Sequence, residues 1–173
     1  MPGKSVVPAQ VDVAIIGSGF AGICAGIKLL EAGRTSFVIL EKADDLGGTW
    51  RDNHYPGCAC DVPSHLYSFS FEPNPDWSRT YATYGEIHDY LVRCARKYGV
   101  WEKIAFNHEV ERRVFDEDAN LWTLELKRRS PIQARIVISA MGSLHRPLIP
   151  DIYGLKAFKG ACFHSANWDP NFN

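Results

Sequence analysis

The order of apolar and polar positions along the chain predicts alternating strands and helices near its start. Residues 11–16 and 37–40 are nearly continuous apolar runs, as is typical of parallel strands covered on both faces. Between them, apolar residues recur at spacings of four and three, which predicts a one-sided helix over residues 20–32. The three segments form a βαβ-type unit, for which we expect a right-handed crossover.

The rest of the chain predicts a long irregular stretch, a second helix and three more strands. Residues 41–80 are rich in Gly, Pro and aromatic residues, and ordered loops of that length are usually functional. Thr83 and Glu86 form a T-x-x-E capping box that starts a helix, and Gly99 ends it. Strands are predicted at 107–114, 121–127 and 132–139. The expected fold class is therefore α/β: a Rossmann-like domain with a parallel sheet, an N-terminal βαβ unit and a three-stranded antiparallel meander, incomplete at the C-terminus.

Composition narrows the classes of partner. Nineteen Lys and Arg residues against 20 Asp and Glu give a net charge of −1, which predicts neither a nucleic-acid nor a membrane-surface partner. No apolar run approaches the ~20 residues of a membrane span, and the first residues lack the apolar core of a signal peptide. Five cysteines cannot all pair within the chain, which fits a reducing compartment. We expect a cytoplasmic protein.

A G-x-G-x-x-G motif lies directly between the first predicted strand and helix. Gly17 permits the tight turn, Gly19 lets the backbone approach a pyrophosphate, and Gly22 lets the helix pack closely on the strand. The phosphates would then lie at the positive end of the helix dipole. Glu41 follows Gly22 by nineteen residues, where an acid accepts hydrogen bonds from an adenosine ribose and disfavours a 2′-phosphate. The motif predicts a dinucleotide site for FAD or NAD.

A second glycine pair favours FAD over NAD. Gly47-Gly48-Thr49-Trp50 follows the ribose acid within ten residues, and it can bring another backbone segment against an extended FAD. This arrangement resembles that of flavoproteins with two dinucleotide domains. Flavin disulfide reductases often have a cysteine at each of the positions of Trp50 and Tyr55, so the sequence excludes that group. Cys58 and Cys60 lie close to a histidine but lack a fourth ligand at normal spacing, and we predict no metal site.

Near the end of the chain, a more specific pattern defines the resemblance. It is F-x-G-x-x-x-H-x-x-x-W-[P/D], formed here by Phe158, Gly160, His164, Trp168 and Asp169. The pattern resembles the fingerprint of type I Baeyer–Villiger monooxygenases. The stretches 55–64 and 66–71 are similar to the same family, and residues 139–150 resemble its linker, with a Met in place of the usual Thr. The resemblance runs from residue 11 to residue 169.

The resemblance implies a role for each matching residue. The implied cofactor contacts are, for the FAD pyrophosphate, Gly17, Gly19, Phe20, Ala21 and Gly22; for the adenosine ribose, Glu41; for the adenine, Val110; and for the ribityl and flavin side, Gly48, Thr49 and Trp50. Asp61 would lie beside the flavin ring with Tyr67 close by, in a supporting catalytic role. As a single loop carboxylate, Asp61 equally fits a turn cap. His164 and Trp168 would couple movement of a nicotinamide domain to the flavin site, whereas alone they are more often structural.

The function implied is an NADPH- and O2-dependent Baeyer–Villiger oxidation of a small-molecule ketone to an ester or lactone. The catalytic arginine of the family and its NADPH domain lie outside this chain, in a missing C-terminal portion, so we expect these residues alone to be inactive. Two alternatives stay open: an N- or S-oxidising flavin-containing monooxygenase, and a non-catalytic FAD-binding or interaction module. The expected organisation is a flexible leader over 1–10, an FAD-binding domain over 11–142, and a linker over 143–173.

Overall fold

A single mixed sheet of six strands organises the chain. The computed structural model describes residues 7–144 and 146–172. The elements are β1 (Gln10–Ile16), α1 (Phe20–Glu31), β2 (Phe37–Leu40), α2 (Thr49–Asp52), α3 (Tyr84–Lys97), β3 (Ile104–Ala105), β4 (Val110–Asp116), β5 (Leu121–Leu126) and β6 (Ile132–Ser139). The strand order is β3-β2-β1-β6-β5-β4. β3, β2, β1 and β6 run parallel, and β6, β5 and β4 form an antiparallel meander.

The predicted βαβ unit and meander are both confirmed, with small shifts at their edges. β1 begins at Gln10, which pairs with Gln133, and the carbonyl of Ala9 accepts a hydrogen bond from the amide of Gln133. The leader predicted over residues 1–10 therefore extends too far at its C-terminal end, because its last residue lies in the sheet. Residues 1–6 lie outside the described part of the chain.

The central strands β1 and β2 are covered on both faces, which explains their continuous apolar runs. On one face, Val13 and Ile15 belong to a core shared with α1 and α3. On the other face, Ala14 and Ile16 belong to a second core that includes Leu124 of β5. The meander strands belong to the same sheet, and their apolar side chains contribute to this second core.

The second helix forms as predicted. The Thr83 side chain accepts a hydrogen bond from the amide of Glu86, and the Glu86 carboxylate accepts one from the amide of Thr83. Its buried stripe includes Ile87 and Leu91. At the far end Gly99 adopts a φ of +69°, a left-handed conformation that glycine takes at little cost.

Some elements were not predicted from the sequence. α2 is a single helical turn after the second glycine pair, and β3 is a two-residue strand beside β2. The sequence also did not predict that β6 would insert beside β1. This pairing brings the end of β6 next to the end of β1, where the amide of Ala140 donates to the carbonyl of Ile16.

Within residues 7–144 and 146–172, none of the helices combines the length and apolar character needed to cross a bilayer. The five cysteines are free thiols. The same part of the chain holds no cluster of three His, Cys, Asp or Glu side chains suited to a metal ion.

Candidate functional site

A crevice of about 490 Å³ opens where β1, β2 and β6 end. The carboxyl ends of parallel strands are where α/β sheets commonly bind ligands, because the chain diverges there into loops and helix N-termini. The residues lining the crevice are Ile16, Gly17, Ser18, Gly19, Phe20, Ala21, Leu40, Glu41, Lys42, Gly47, Gly48, Thr49, Trp50, Arg51, Asp52, Tyr67, His108, Glu109, Val110, Ala140, Met141, Gly142 and Arg146.

The glycine loop forms one wall of the crevice, and its three glycines differ in what surrounds them. Gly17 has a φ of +99°, in the left-handed region. A Cβ on Gly22 would overlap the carbonyl oxygen of Gly17, so only glycine permits α1 to start this close to β1. A Cβ on Gly19 would meet no atom within 4 Å. Gly19 lines the crevice, so its missing side chain leaves that space open.

The N-terminus of α1 meets the crevice without a capping side chain. Its N-cap residue is Gly19, no side chain caps it, and the first turn holds no acidic residue. The first amides of any helix lack an intrahelical acceptor and carry a partial positive charge. Phe20 and Ala21, the first residues of α1, line the crevice. This end of the crevice is therefore suited to an anion such as a phosphate.

Glu41 follows β2 directly and carries a buried carboxylate; the residue is only 4% exposed. Its Oε2 accepts hydrogen bonds from the amide of Ser18 at 3.0 Å and from the Ser18 hydroxyl at 2.7 Å. Its Oε1 accepts one from the amide of Ala43 at 3.1 Å. Nη1 of Arg51 lies 3.1 Å from the same Oε1. The carboxylate thus joins the glycine loop to the segment that follows β2, and it lines the crevice between them.

The second glycine pair closes the crevice from the opposite side. Gly48 has a φ of +54° and a ψ of −120°, and a Cβ added to it would lie 3.6 Å from Cα of Gly19. The two glycine loops therefore approach each other closely. The amide of Gly47 donates to the carbonyl of Ser18, which fixes this approach. Thr49 then begins α2, whose first residues line the crevice.

Aromatic side chains form the end of the crevice beside α2. Nε1 of Trp50 donates to the hydroxyl of Tyr67 at 3.1 Å, and the two rings meet edge to face. Phe20 packs edge to face on Tyr67, with ring centroids 4.9 Å apart. Burial raises the pKa of Tyr67, and the hydrogen bond from Trp50 opposes that effect only in part. This end of the crevice is therefore lined by aromatic side chains, which a planar ring system can contact.

The strand β4 and the chain before it line the end nearest Glu41. The amide of His108 donates to the carbonyl of Glu41 at 2.7 Å. That bond brings Glu109 and Val110 to the crevice, where both line it. The crevice thus runs between an aromatic end and this end, with the uncapped helix and the buried carboxylate along it.

The residues predicted from the sequence divide into three groups. Those that line the crevice are Gly17, Gly19, Phe20, Ala21, Glu41, Gly48, Thr49, Trp50, Tyr67 and Val110. Gly22 is buried beneath the loop, against Gly17. Asp61 is exposed and is not among the lining residues, although its charge acts on Tyr67 and Tyr55 nearby.

The fingerprint residues contact one another and near neighbours in the sequence. A Cβ on Gly160 would meet the Phe158 ring at 2.5 Å, so the ring covers the glycine. Nδ1 of His164 accepts from the amide of Ala166, which caps a short 3₁₀ turn. The ring of Trp168 packs edge to face on Phe163 at 4.8 Å. Asp169 accepts from the amide of Asn171. The described contacts of these residues do not reach the crevice.

Sequence reasoning missed two polar residues that contact Glu41. Ser18 is fully buried and lies within the glycine motif, where the pattern leaves its identity open. Arg51 follows the second glycine pair by three positions. A buried acid predicts some partner, but nothing in the local sequence says which cation supplies it.

Comparisons with known proteins find Baeyer–Villiger monooxygenases among the relatives of this chain. A family model described as an NAD(P)-binding Rossmann-like domain matches residues 15–84. A Baeyer-Villiger monooxygenase of Streptomyces coelicolor is 49% identical over 167 residues, which cover 96% of this chain and 32% of that protein. One of Pseudomonas aeruginosa is 47% identical over 161 residues, covering 93% and 31%. The chain spans about a third of the length of these curated relatives.

Solved structures give the same result for the fold. A cyclohexanone monooxygenase from Rhodococcus sp. Phi1 bound to NADP+ superposes with a TM-score of 0.84 at 36% identity, covering 96% of this chain and 32% of that one. The structure of OTEMO in complex with FAD and NADP superposes with a TM-score of 0.83 at 33% identity, covering 94% and 31%.

Proposed function

We propose that the crevice of this chain binds FAD. The premise is that the chain belongs to the family of Baeyer–Villiger and related flavin-containing monooxygenases. The observation that carries the proposal is the continuous run of an uncapped helix N-terminus, an open glycine and a buried carboxylate along one crevice. An extended dinucleotide uses all of these features: the helix N-terminus and the open glycine for its phosphates, and the carboxylate for its ribose. A glycine-rich turn without a ligand needs none of them.

The pyrophosphate is assigned to the N-terminus of α1. The first-turn amides supply hydrogen-bond donors, and the helix dipole favours the negative charge. The space beside Gly19 is open, so the phosphates can approach the backbone there. Gly17 and Gly22 contribute indirectly, since their close approach sets the direction in which the helix leaves the strand.

The adenosine is assigned to the end near Glu41 and Val110. A buried carboxylate accepts hydrogen bonds from ribose hydroxyls and repels a 2′-phosphate. FAD and NAD both carry free ribose hydroxyls at this position. The aromatic end favours FAD, because Trp50 and Tyr67 offer aromatic rings where the flavin side would lie.

When bound, FAD would supply the redox chemistry of an NADPH- and O2-dependent oxidation next to the carbonyl of a small ketone substrate. The residues of this chain bind and orient the cofactor, and the aromatic side chains exclude water at one end. We propose a supporting role for Asp61 because the family resemblance implies one, although the residue is exposed and is not among the lining residues of the crevice. The fingerprint residues Phe158, Gly160, His164, Trp168 and Asp169 are proposed to couple an NADPH domain to this site.

Oxidation of nitrogen or sulfur is the second candidate function. The Trp168-Asp169 ending favours Baeyer–Villiger oxidation, because flavin-containing monooxygenases usually lack it. Product analysis of the full-length protein with a cyclic ketone and with a thioether separates the two. We expect an ester or lactone from the ketone. Sulfoxide from the thioether as the main product would instead favour oxidation of nitrogen or sulfur over Baeyer–Villiger oxidation. A non-catalytic FAD-binding module is the third candidate, which turnover by the full-length protein would exclude.

The domain organisation and the compartment are also proposals. Residues 11–142 are proposed as the FAD-binding portion and residues 143–173 as the linker. The free thiols are consistent with a reducing compartment, and we propose the cytoplasm.

The test of cofactor binding compares two glycines that differ only in their surroundings. Gly19 and Gly85 both have open space where a Cβ would lie, with no atom within 4 Å, but only Gly19 lines the crevice. We expect Gly19→Ala to weaken FAD binding by about 10- to 100-fold, the size of a methyl clash with a bound group. Gly85→Ala in α3 should leave the dissociation constant unchanged. Quenching of flavin fluorescence measures both. Equal affinity of the two variants, or no binding by the wild-type chain, would overturn the proposal.

A further inference from the structure

Arg51 connects three parts of the site from a position within α2. Its Nη1 donates to the carbonyl of Asp45 and lies 3.1 Å from Oε1 of Glu41. Its Nε donates to Oδ1 of Asp52 at 2.8 Å. The side chain is only 13% exposed. Burial lowers the pKa of Arg51, but the hydrogen bonds and charges of Asp52 and Glu41 raise it above its usual value. The guanidinium therefore stays charged and fixed.

Glu41 depends on such a partner because its carboxylate is buried. An ionised carboxylate removed from water is costly unless it is both hydrogen-bonded and paired with a positive charge. The amides of Ser18 and Ala43 and the Ser18 hydroxyl supply the hydrogen bonds. Among the described ion pairs, Arg51 supplies the charge.

The direction of the Arg51 side chain is set from elsewhere. Asp52 and the carbonyl of Asp45 hold the guanidinium on the side of α2, so it does not rely on Glu41 for its own position. The carboxylate of Glu41 is then held between Ser18 on one oxygen and Ala43 with Arg51 on the other. Such fixed support is what a binding group needs if it is to accept ligand hydrogen bonds without reorganisation.

We propose that Arg51 is a positioning residue for Glu41, which holds the carboxylate in the orientation that accepts the ribose hydroxyls of the adenosine. The inference rests on the proposed binding of FAD and adds a specific requirement to it. Arg51 acts through Glu41 and makes no independent contribution to the affinity for the cofactor.

A double-mutant cycle on dissociation constants tests the proposal. The variants are Arg51→Gln, Glu41→Gln and the double variant, each titrated with FAD and with ADP, which carries the adenosine and the phosphates but no flavin. We expect Arg51→Gln to weaken both ligands by the same factor of about ten, the size of a weakened charged hydrogen bond. The double variant should bind no more weakly than Glu41→Gln alone. Arg34→Gln, exposed beyond the far end of α1, is the matched control and should change nothing.

Three outcomes would overturn the role of Arg51 and leave the proposed binding of FAD intact. Additive losses in the double variant would mean that Arg51 contacts the cofactor independently. A loss for FAD without a loss for ADP would mean that Arg51 only orders the flavin side. Unchanged affinity in Arg51→Gln would remove the role altogether. A wild-type chain that binds neither ligand would instead overturn the proposed function, and the inference with it.

A second variant covers the case in which Arg51→Gln does not fold. A thermal melt of each variant without ligand establishes whether it is folded at the assay temperature. Arg51→Lys keeps the positive charge but loses the planar fork, so it should weaken the affinity for ADP less than Arg51→Gln does. A loss in Arg51→Lys as large as that in Glu41→Gln would contradict a role based on the charge beside Glu41.

Discussion

Two parts of the molecule lack regular structure, and they differ in how they are held. The anchored loop, residues 41–83, contains only the single turn of α2. The distal segment, residues 147–172, contains two 3₁₀ turns. The first buries many of its side chains and the second leaves most of its own exposed. The absence of helix or strand in a sequence pattern therefore says little about how tightly a segment is fixed.

Buried polar groups hold the anchored loop to α3 and to itself. The hydroxyl of Tyr90 accepts from the amide of Phe69 at 2.9 Å and donates to the carbonyl of Glu72 at 2.7 Å. The hydroxyl of Ser64 donates to the carbonyl of Thr80 and accepts from the amide of Ala82. These bonds join residues 16 to 21 positions apart, so they fix the path of the whole loop.

The bonds described for the distal segment are local. Its hydrogen bonds join residues no more than four positions apart, as from the amide of Phe158 to the carbonyl of Gly154. Leu148 is 82% exposed, and Tyr153 is fully exposed. The residues of the family fingerprint therefore identify the chain without contributing contacts to its core.

The largest expected effect tests the anchoring of the loop. Tyr90→Phe removes one oxygen and leaves the buried amide of Phe69 and the partly buried carbonyl of Glu72 without this partner. We expect a loss of about 2–3 kcal/mol in the free energy of unfolding, measured by urea denaturation. Tyr153→Phe in the distal segment makes the same chemical change and should cost less than about 0.5 kcal/mol. Similar losses in the two variants would remove the contrast between the regions.

An intermediate effect concerns the charge at the edge of the anchored loop. Hydrogen bonds from Lys97 and Tyr98 lower the pKa of Glu72. Because the folded-state pKa lies below the unfolded value, the stabilisation is present above that unfolded value and is lost as the pH falls through the folded one. Glu72→Gln should cost about 1 kcal/mol near pH 7, and the cost should shrink below about pH 4.

The control for this pH dependence is Glu117→Gln in the exposed turn between β4 and β5. It should show neither the cost at neutral pH nor the change with acid. Urea denaturation at pH 7 and at pH 3.5 measures both variants. A cost for Glu72→Gln that stays constant over this range would mean that the carboxylate charge is not what holds the loop there.

The smallest effect is expected in the distal segment. His164→Ala removes the acceptor of one amide in a short 3₁₀ turn. We expect a change of no more than about 0.5 kcal/mol in the free energy of unfolding and an unchanged dissociation constant for FAD. A loss above about 1 kcal/mol in this chain would show that the distal segment is anchored after all.

Much of the fold and of the site could be predicted because the information is local. The glycine loop, Glu41 and the capping box at Thr83 are set by patterns within some 25 residues. The close approach that places β6 beside β1 could not be predicted, because it joins residues about 120 positions apart. Arg51 was missed although it lies close to Glu41 in the sequence, because the path of the loop between them determines whether the two side chains meet.

The pairing of β1 with β6 also has a consequence for the growing chain. β1 obtains one neighbour from residues 37–40, but its other neighbour comes only from residues 132–139. During synthesis, one edge of β1 therefore stays without its strand partner until almost the entire meander has been made. Non-local parallel pairing of this kind is intrinsically slow and exposes the nascent chain to aggregation. Chaperones that bind extended apolar segments would find such a target in β1.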